Sequence, residues 1–448
     1  MDKLYDVIII GSGVVGNAIA REMSRYNLKI GVLEKELDVC NETSARNSGV
    51  LHAGFNNKPG TLMAKFCVEG NQGFDQVAKE LGVPFKRCGK LVVGFSEEDK
   101  EKLIAMKEQG EKNGVKGLEI IGKDKIKEIE PNIDGEFAMW SKTTGILNPF
   151  LLTIALAENA AANGAEYYFG NEVIDIKRVD DIYNIKTKKD TYKTRWVVNA
   201  AGLYSDRVSK MLGIDDYTIH PCRGEYFILD EKVGSKLSLP AYPVPNPKEG
   251  GLGIHLTPTI DGNVFIGPSS EYIDERDDYS ATQKIMDLLI KDGGRIFPHI
   301  RRDDFIRNFA GIRPKLASKE EGGYHDFVIE MRDKSPNTIN LVGIESPGLT
   351  SSTPIAKYVV SLLKQKEELT ENENFNPIRK PIVTFNDKSV EEKEALIKEN
   401  PDYGEVICRC QTITKAEILE AINNPLGVET LTGIKYRCRA MLRTNCSI

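Results

Sequence analysis

Two sets of residues in this 448-residue chain have types and spacing that can do chemistry. Near the start, Gly11, Gly13 and Gly16 form a GxGxxG within "IIIGSGVVGNAIA". In the C-terminal stretch Cys408 and Cys410 form a C-x-C, and Cys438 and Cys446 follow in "YRCRAMLRTNCSI". Glycines so spaced bring a backbone close to a pyrophosphate, whereas gathered thiolates hold a metal ion or an iron–sulfur cluster.

The elements that must position the glycines flank them. Val7 to Ile10 is a β-branched run that reads as a strand, the residues from Val14 onward have the apolar period of a helix, and "KIGVLE" is a second strand ending at Glu34. In such a βαβ unit Gly11 permits the tight turn, Gly13 admits the pyrophosphate and Gly16 lets helix and strand pack closely. The first helical turn, with Val14 and Val15, offers N–H groups to the phosphates. Glu34, with Lys35 beside it, lies where a carboxylate accepts hydrogen bonds from an adenosine ribose. No second unit of this kind follows, so one dinucleotide is expected, and at this point NAD and FAD both fit.

Composition narrows the class. An apolar fraction of 40% and a charged fraction of 28% belong to a soluble globular protein of two or three folded units, and a net charge of -6 gives no field for nucleic acid. No run approaches the roughly 18 apolar residues of a membrane span, and the glycine spacing argues against a signal-peptide core at the start. The eight cysteines form no evenly distributed framework. A cytoplasmic location is expected, peripheral to a membrane at most, with Cys40, Cys67, Cys88 and Cys222 as small core residues.

The stretch "ETSARNSGVLHAGFNNKPGTLMAKFCVEGN" decides between the dinucleotides by resemblance. It is similar to the D-amino-acid-oxidase-like flavoprotein superfamily, nearest the branch of anaerobic-type glycerol-3-phosphate dehydrogenases and L-2-hydroxyglutarate dehydrogenases, over residues 1 to about 370. The resemblance implies FAD, contacted by a loop with Ser44, Arg46, Asn47, Ser48 and Gly49, and by the backbone at Val173 against the adenine. "RWVVNAAGLYSD" resembles the family's second nucleotide-contacting strand, where small Ala200 and Gly202 let the chain pass the cofactor. "NLVGIESPGLTSSTPIAKYVVSLL" resembles its closing motif: strand, turn and helix, with N–H groups around Gly348, Leu349, Thr350 and Ser351 facing the flavin pyrimidine edge.

An α/β fold follows: a Rossmann-like FAD-binding domain from residues 1–82, 148–215 and 325–370, and an antiparallel-sheet substrate domain from 83–147 and 216–324. A charged linker, 371–402, leads to a small helical cysteine-containing domain, 403–448.

Oxidation of an alcohol at a flavin needs a base for the hydroxyl proton and a positive group for an anionic substrate. His52 lies in the loop that the family places against the isoalloxazine, and His255, in a strand of the substrate sheet, shares the candidacy. Arg313, in "FAGIRPKLA", matches a family arginine that grips carboxylate or phosphate, and Arg223, in "PCRGEYFIL", is the second choice. The strands around "HLTPTIDGNVFIGP" resemble the glycerol-3-phosphate type more than the 2-hydroxyglutarate type. The expected reaction is oxidation of sn-glycerol 3-phosphate to dihydroxyacetone phosphate, with a redox partner protein or a quinone as acceptor. L-2-hydroxyglutarate is the alternative substrate, and a non-catalytic flavin-binding electron-transfer subunit the alternative class.

The C-terminal stretch resembles the bacterioferritin-associated-ferredoxin-like [2Fe-2S] domain that ends some members of this branch. Cys408 and Cys410 match its first ligand pair. Asn445 falls at the third ligand and Cys446 one residue late, so a truncated or altered domain is expected. Cys438 is a substitute ligand, zinc or an empty site are alternatives, and little or no [2Fe-2S] is anticipated.

Overall fold

The computed structural model describes residues 3–245 and 253–441. Its first strand, β1 (Leu4–Ile10), runs through an eight-stranded sheet ordered Val173–Val179, Ile182–Thr187, Thr191–Asn199, β1, β2 (Ile30–Leu33) and Glu166–Tyr168. β1 is parallel to both neighbours, with Ile10 level with Leu33 on one side and Asn199 on the other. Ser335–Val342 also pairs in parallel with Thr191–Asn199, and Val328–Arg332 pairs antiparallel to it. Parallel strands in this register end at one edge. The turns after Ile10, Leu33 and Asn199 therefore lie side by side, where α/β sheets bind ligands.

Helices α1 (Val14–Met23) and α2 (Leu62–Leu81) pack with Pro149–Ala162 and Gly348–Leu363 over this sheet, joining Ile19, Met23, Phe66, Phe74, Leu152 and Ile355 to Val7 and Ile9 in one core. α2 starts where the Thr61 side chain accepts the Ala64 N–H and stops where Gly82 adopts the left-handed conformation.

A second sheet, of nine strands, runs Glu271–Tyr272, His220–Leu229, Val264–Gly267, His255–Pro258, Ala241–Pro243, Lys90–Gly94, Phe137–Ser141, Leu118–Gly122, and Phe305–Lys315 lines the other edge of His220–Leu229. The architecture is α/β, a Rossmann-type unit carrying an antiparallel sheet. One pair departs from the expected pattern: Ala241–Pro243 and Lys90–Gly94 run parallel. They come from separate excursions of the chain, so no hairpin dictates their direction.

Residues 371–402, expected as a linker, contain the helix Val390–Glu399. Composition hid it because the helix buries none of its residues; a Ser389–Glu392 capping box starts it. Beyond it a hairpin of Val406–Cys408 with Ile413–Thr414 leads into helices Lys415–Ile422 and Leu431–Cys438. This small unit is docked against Pro149–Ala162: Tyr436 stacks on Phe150 with centroids 4.6 Å apart, and the buried Arg437 guanidinium donates to Asp38 at 2.6 and 2.9 Å and to Glu158 at 3.2 Å. Among the described residues no helix is long and apolar enough to cross a membrane.

Candidate active site

Two cavities, of about 610 and 330 Å³, open along the carboxyl edge of the first sheet and share Gly13, Thr43, Ser44, Ala200 and Gly202 in their walls. The smaller takes in Gly11, Glu34, Lys35 and Val173; the larger takes in Val14, Val15, Arg46, Asn47, Ser48, Gly348 and Leu349. The shared walls join the acid just after β2, the N-terminus of α1 and the second sheet along one continuous edge. That is the shape of an extended dinucleotide.

Local chemistry explains each wall. Glu34 accepts the N–H groups of Ser12 at 2.7 Å and Glu36 at 2.9 Å, which fixes the carboxylate while burial pushes its pKa up. Gly11 has φ +104°, and a Cβ on it would stand 2.5 Å from the Ala200 carbonyl oxygen. Gly16 lines neither cavity; a Cβ there would meet the Gly11 carbonyl at 2.1 Å, so it serves close packing. The Val14 N–H donates to Ser44 Oγ at 2.9 Å, tying the loop to the helix start. Arg46 lies over the Tyr279 ring, and its buried Nε has no partner among the described residues, an orphaned donor in the wall that suits a polar cofactor.

Three residues expected to touch the cofactor stand behind the wall. The Gly49 N–H is held by Asn47 Oδ1 at 2.9 Å, and its carbonyl accepts the Leu147 N–H at 2.8 Å. Thr350 Oγ1 accepts the His52 N–H at 3.0 Å, and Ser351 N–H bonds to Pro347 O at 3.0 Å as an ordinary helical bond. Thr350 fixes the His52 backbone rather than lining the cavity, and only the first residues of that helix, Gly348 and Leu349, reach it.

At the far end the larger cavity gathers His52, His255, Arg313, Tyr226, Tyr242 and Tyr324. Arg313 Nη2 donates to Ser269 O at 3.2 Å and Nη1 faces Cys222 Sγ at 3.7 Å; no carboxylate pairs with it among the described residues. Gly224 makes room for it, since a Cβ there would stand 2.7 Å from Nη2. Arg223 is a correction. It lies in His220–Leu229 on the face opposite Gly224, bonded to Glu271 at 2.7 Å, to Ser280 at 2.6 Å and to Asp278, and lines neither cavity. Cys222 is level with Arg313 in the pairing whereas Arg223 is level with Ile312, and neighbours along a strand point to opposite faces.

Burial, with the Lys90 charge added, lowers His52 to about 3, so its imidazole is neutral at pH 7. His255 is lowered for the same first reason. Its Nδ1 lies 2.9 Å from the Gly253 carbonyl, which can only accept, so Nδ1 carries the hydrogen and Nε2 the lone pair. That Nε2 is buried with no partner among the described residues. Tyr242, Tyr226 and the buried Lys315–Glu345 pair, 3.5 Å apart, were not singled out in the sequence. Alternation from Arg313 along the paired strands would have pointed to Tyr226; the others depend on long-range pairing.

In the C-terminal unit Cys408, Cys410 and Cys438 share one small apolar cluster, with Cys408 Sγ and Cys410 Sγ 3.4 Å apart and the Met441 N–H 3.4 Å from Cys408 Sγ. Cys446 lies outside the described residues. Among the described residues no three ligands are placed to hold a metal ion. Purified protein is expected to carry little acid-labile sulfide and to keep substrate-dependent flavin reduction; near-stoichiometric iron and sulfide after anaerobic purification would contradict this. Gly13→Val is expected to abolish flavin content, because its side chain would fill the junction the two cavities share. A Gly13→Val protein purified with a full 450 nm flavin band would refute the assignment.

Comparison with known proteins agrees with this geometry. The family model described as FAD dependent oxidoreductase matches residues 6–362. A glycerol 3-phosphate dehydrogenase from Caloramator mitchellensis is 41% identical over 440 residues, 98% of this chain and 90% of its own. The mitochondrial L-2-hydroxyglutarate dehydrogenase of Homo sapiens is 30% identical, covering 82% of this chain and 90% of its own. Among solved structures, a Mycoplasma pneumoniae L-alpha-glycerophosphate oxidase with FAD bound superposes with a TM-score of 0.78 at 29% identity, over 84% of this chain and 98% of that one. The chain belongs to the FAD dependent oxidoreductase family.

Proposed function

We propose that this enzyme oxidises sn-glycerol 3-phosphate to dihydroxyacetone phosphate. The observation that carries this reading is the Arg313 guanidinium, free of any carboxylate partner among the described residues, in the same cavity as two neutral imidazoles. FAD, when bound, supplies the acceptor for the two electrons that leave the alcohol as hydride. The chain supplies the rest.

Arg313 anchors the phosphate, which its planar fork can bind through two parallel hydrogen bonds. His52 and His255 face the carbinol. A lone pair on one of them takes the hydroxyl proton as hydride leaves the adjacent carbon, so that the product is the ketone and the proton stays on the ring. The His255 tautomer, set by Gly253, keeps Nε2 ready to accept. A bound phosphate dianion raises both imidazoles from their depressed values, which strengthens them as bases where they are needed. The aromatic rings of Tyr226 and Tyr242 wall the cavity on the second-sheet side and exclude water.

The electrons then pass to a redox partner protein or a quinone, and a quinone would bring the enzyme to a membrane surface. The identity of the Caloramator mitchellensis relative, 41% against 30% for the human one, supports the phosphate over L-2-hydroxyglutarate. Steady-state assays with each compound, run with a quinone analogue and with oxygen in parallel, test the reading. Turnover with sn-glycerol 3-phosphate at a kcat/KM far above that with L-2-hydroxyglutarate supports it. The reverse order would assign the 2-hydroxy acid, and no turnover with either would point to a flavin-binding electron-transfer subunit.

A further inference from the structure

Lys90 begins the strand Lys90–Gly94 and is only 1% exposed. Its Nζ sits 3.4 Å from the centroid of the Tyr242 ring and 5.0 Å from that of Phe55. Neither a hydrogen bond nor an ion pair reaches Nζ among the described residues. The His255 ring stacks on Tyr242 at 3.6 Å with 12° between planes. A ring at that distance fills one face of the tyrosine, so the ammonium occupies the other. The three side chains form a sandwich: Lys90, Tyr242, His255. Tyr242 and His255 line the main cavity and Lys90 stands behind them.

Such an arrangement is costly. A buried ammonium without a counter-ion loses its hydration, and a cation–π contact restores only part of it. Methionine or leucine at this position would pack as well without that cost, and strands that are buried on both faces favour such residues. The charge must therefore serve something other than stability. Its titratable neighbours are few: Cys67 on α2, His52 in the flavin loop and His255, and on His255 the Arg313 cation acts as well.

We propose that Lys90 is a positioning residue for the oxidation: its buried ammonium, on one face of the Tyr242 ring, pins that ring against His255 and places a positive charge behind the imidazoles that receive the substrate proton. This rests on the reading of the cavity as a site of alcohol oxidation. Geometry sets the effect and the electrostatics agree with it. Burial draws Lys90 itself down to about 7, and the Lys90 charge adds to burial in depressing both histidines.

The sign for stability follows from linkage. The unfolded chain holds the Lys90 proton up to about pH 10.4, the folded protein only to about 7, so between these values the unfolded state binds more protons and stability rises with pH. The penalty is complete below pH 7 and gone by about pH 10.

Lys90→Met in the full FAD-loaded chain separates the roles. Without any substrate, NMR titration should find His52 and His255 raised by about one pH unit or more, the size a unit charge exerts across a few ångström of protein. The acid limb of kcat/KM should move up in step, and the melting temperature should exceed that of the unaltered protein at pH 6 and match it at pH 10. Lys90→Arg, which keeps a cation, should leave the histidines low. Unshifted histidines in Lys90→Met would overturn the proposal. So would an acid limb that stays in place while the histidines move. If the histidines shift and neither candidate substrate reduces the flavin, the substrate reading fails and the role of Lys90 stands. Should Lys90→Met lose FAD, the unaltered protein still decides: the His52 and His255 ring signals must respond to the Lys90 titration near pH 7, and their failure to do so would equally overturn the proposal.

Discussion

Replacing Arg313 with lysine is expected to raise KM for sn-glycerol 3-phosphate by about ten- to a hundredfold, with flavin content unchanged. Hydrogen bonds to charged groups are worth about 1.5–3 kcal/mol, and a lysine keeps the charge while losing the paired geometry. The environment sharpens the effect. Ser269 O and Cys222 Sγ aim the fork, and the space over Gly224 admits a flat guanidinium. A lysine Nζ reaching the same point would have one donor toward the phosphate where arginine has two. Because Arg313 lies at the end of the cavity away from α1, the dinucleotide should be retained, and the absorbance ratio of flavin to protein checks that directly. An unchanged KM would remove Arg313 from the substrate, and a parallel loss of flavin would make it a structural residue.

His52→Ala is expected to slow flavin reduction by substrate about a hundredfold or more, the range for loss of a positioned base. The histidine is held from both sides of its backbone, its N–H by Thr350 Oγ1 at 3.0 Å and its carbonyl by Asn71 Nδ2 at 3.0 Å, so truncation of the ring leaves the loop in place. Stopped-flow reduction under anaerobic conditions isolates this step from acceptor turnover. The residual rate then belongs to His255, whose ring lines the same cavity, and the double variant should fall further. An unchanged reduction rate in His52→Ala would leave His52 a structural residue and pass the role of base to His255.

What the sequence revealed and what it hid divide along a physical line. The βαβ unit was legible because its signals are local: β-branched strand, glycine turn, periodic helix and terminal acid within some thirty residues. Glu34 and Gly13 accordingly stand where the spacing put them, on the walls of the two cavities. Arg223 was misread because one step along a strand changes the face. Counting by two from Arg313 across the pairing selects Cys222, Gly224 and Tyr226 and excludes Arg223. Thr350 and Ser351 fell in the expected motif, yet as the third and fourth residues of the helix Gly348–Leu363 they turn away from the cavity its first two residues line.

Lys90 and Tyr242 could not be linked from the chain alone. They meet through a parallel pairing of strands some 150 residues apart, and "GKLVVGF" reads as an ordinary strand with a polar first residue. The C-terminal unit was legible by the spacing of its cysteines, of which Cys408, Cys410 and Cys438 share one apolar cluster. Its contact with the cofactor domain was not, since it hangs on Arg437 meeting Asp38, a pair separated by most of the chain.

The central claim is that Arg313 and two neutral histidines present an anionic secondary alcohol to the FAD. Anaerobic titration of the purified yellow protein with sn-glycerol 3-phosphate, followed at 450 nm, tests it most directly. The account predicts that the flavin band bleaches to completion with an equivalent yield of dihydroxyacetone phosphate; a band that persists under excess sn-glycerol 3-phosphate, in protein whose FAD dithionite still reduces, would contradict it.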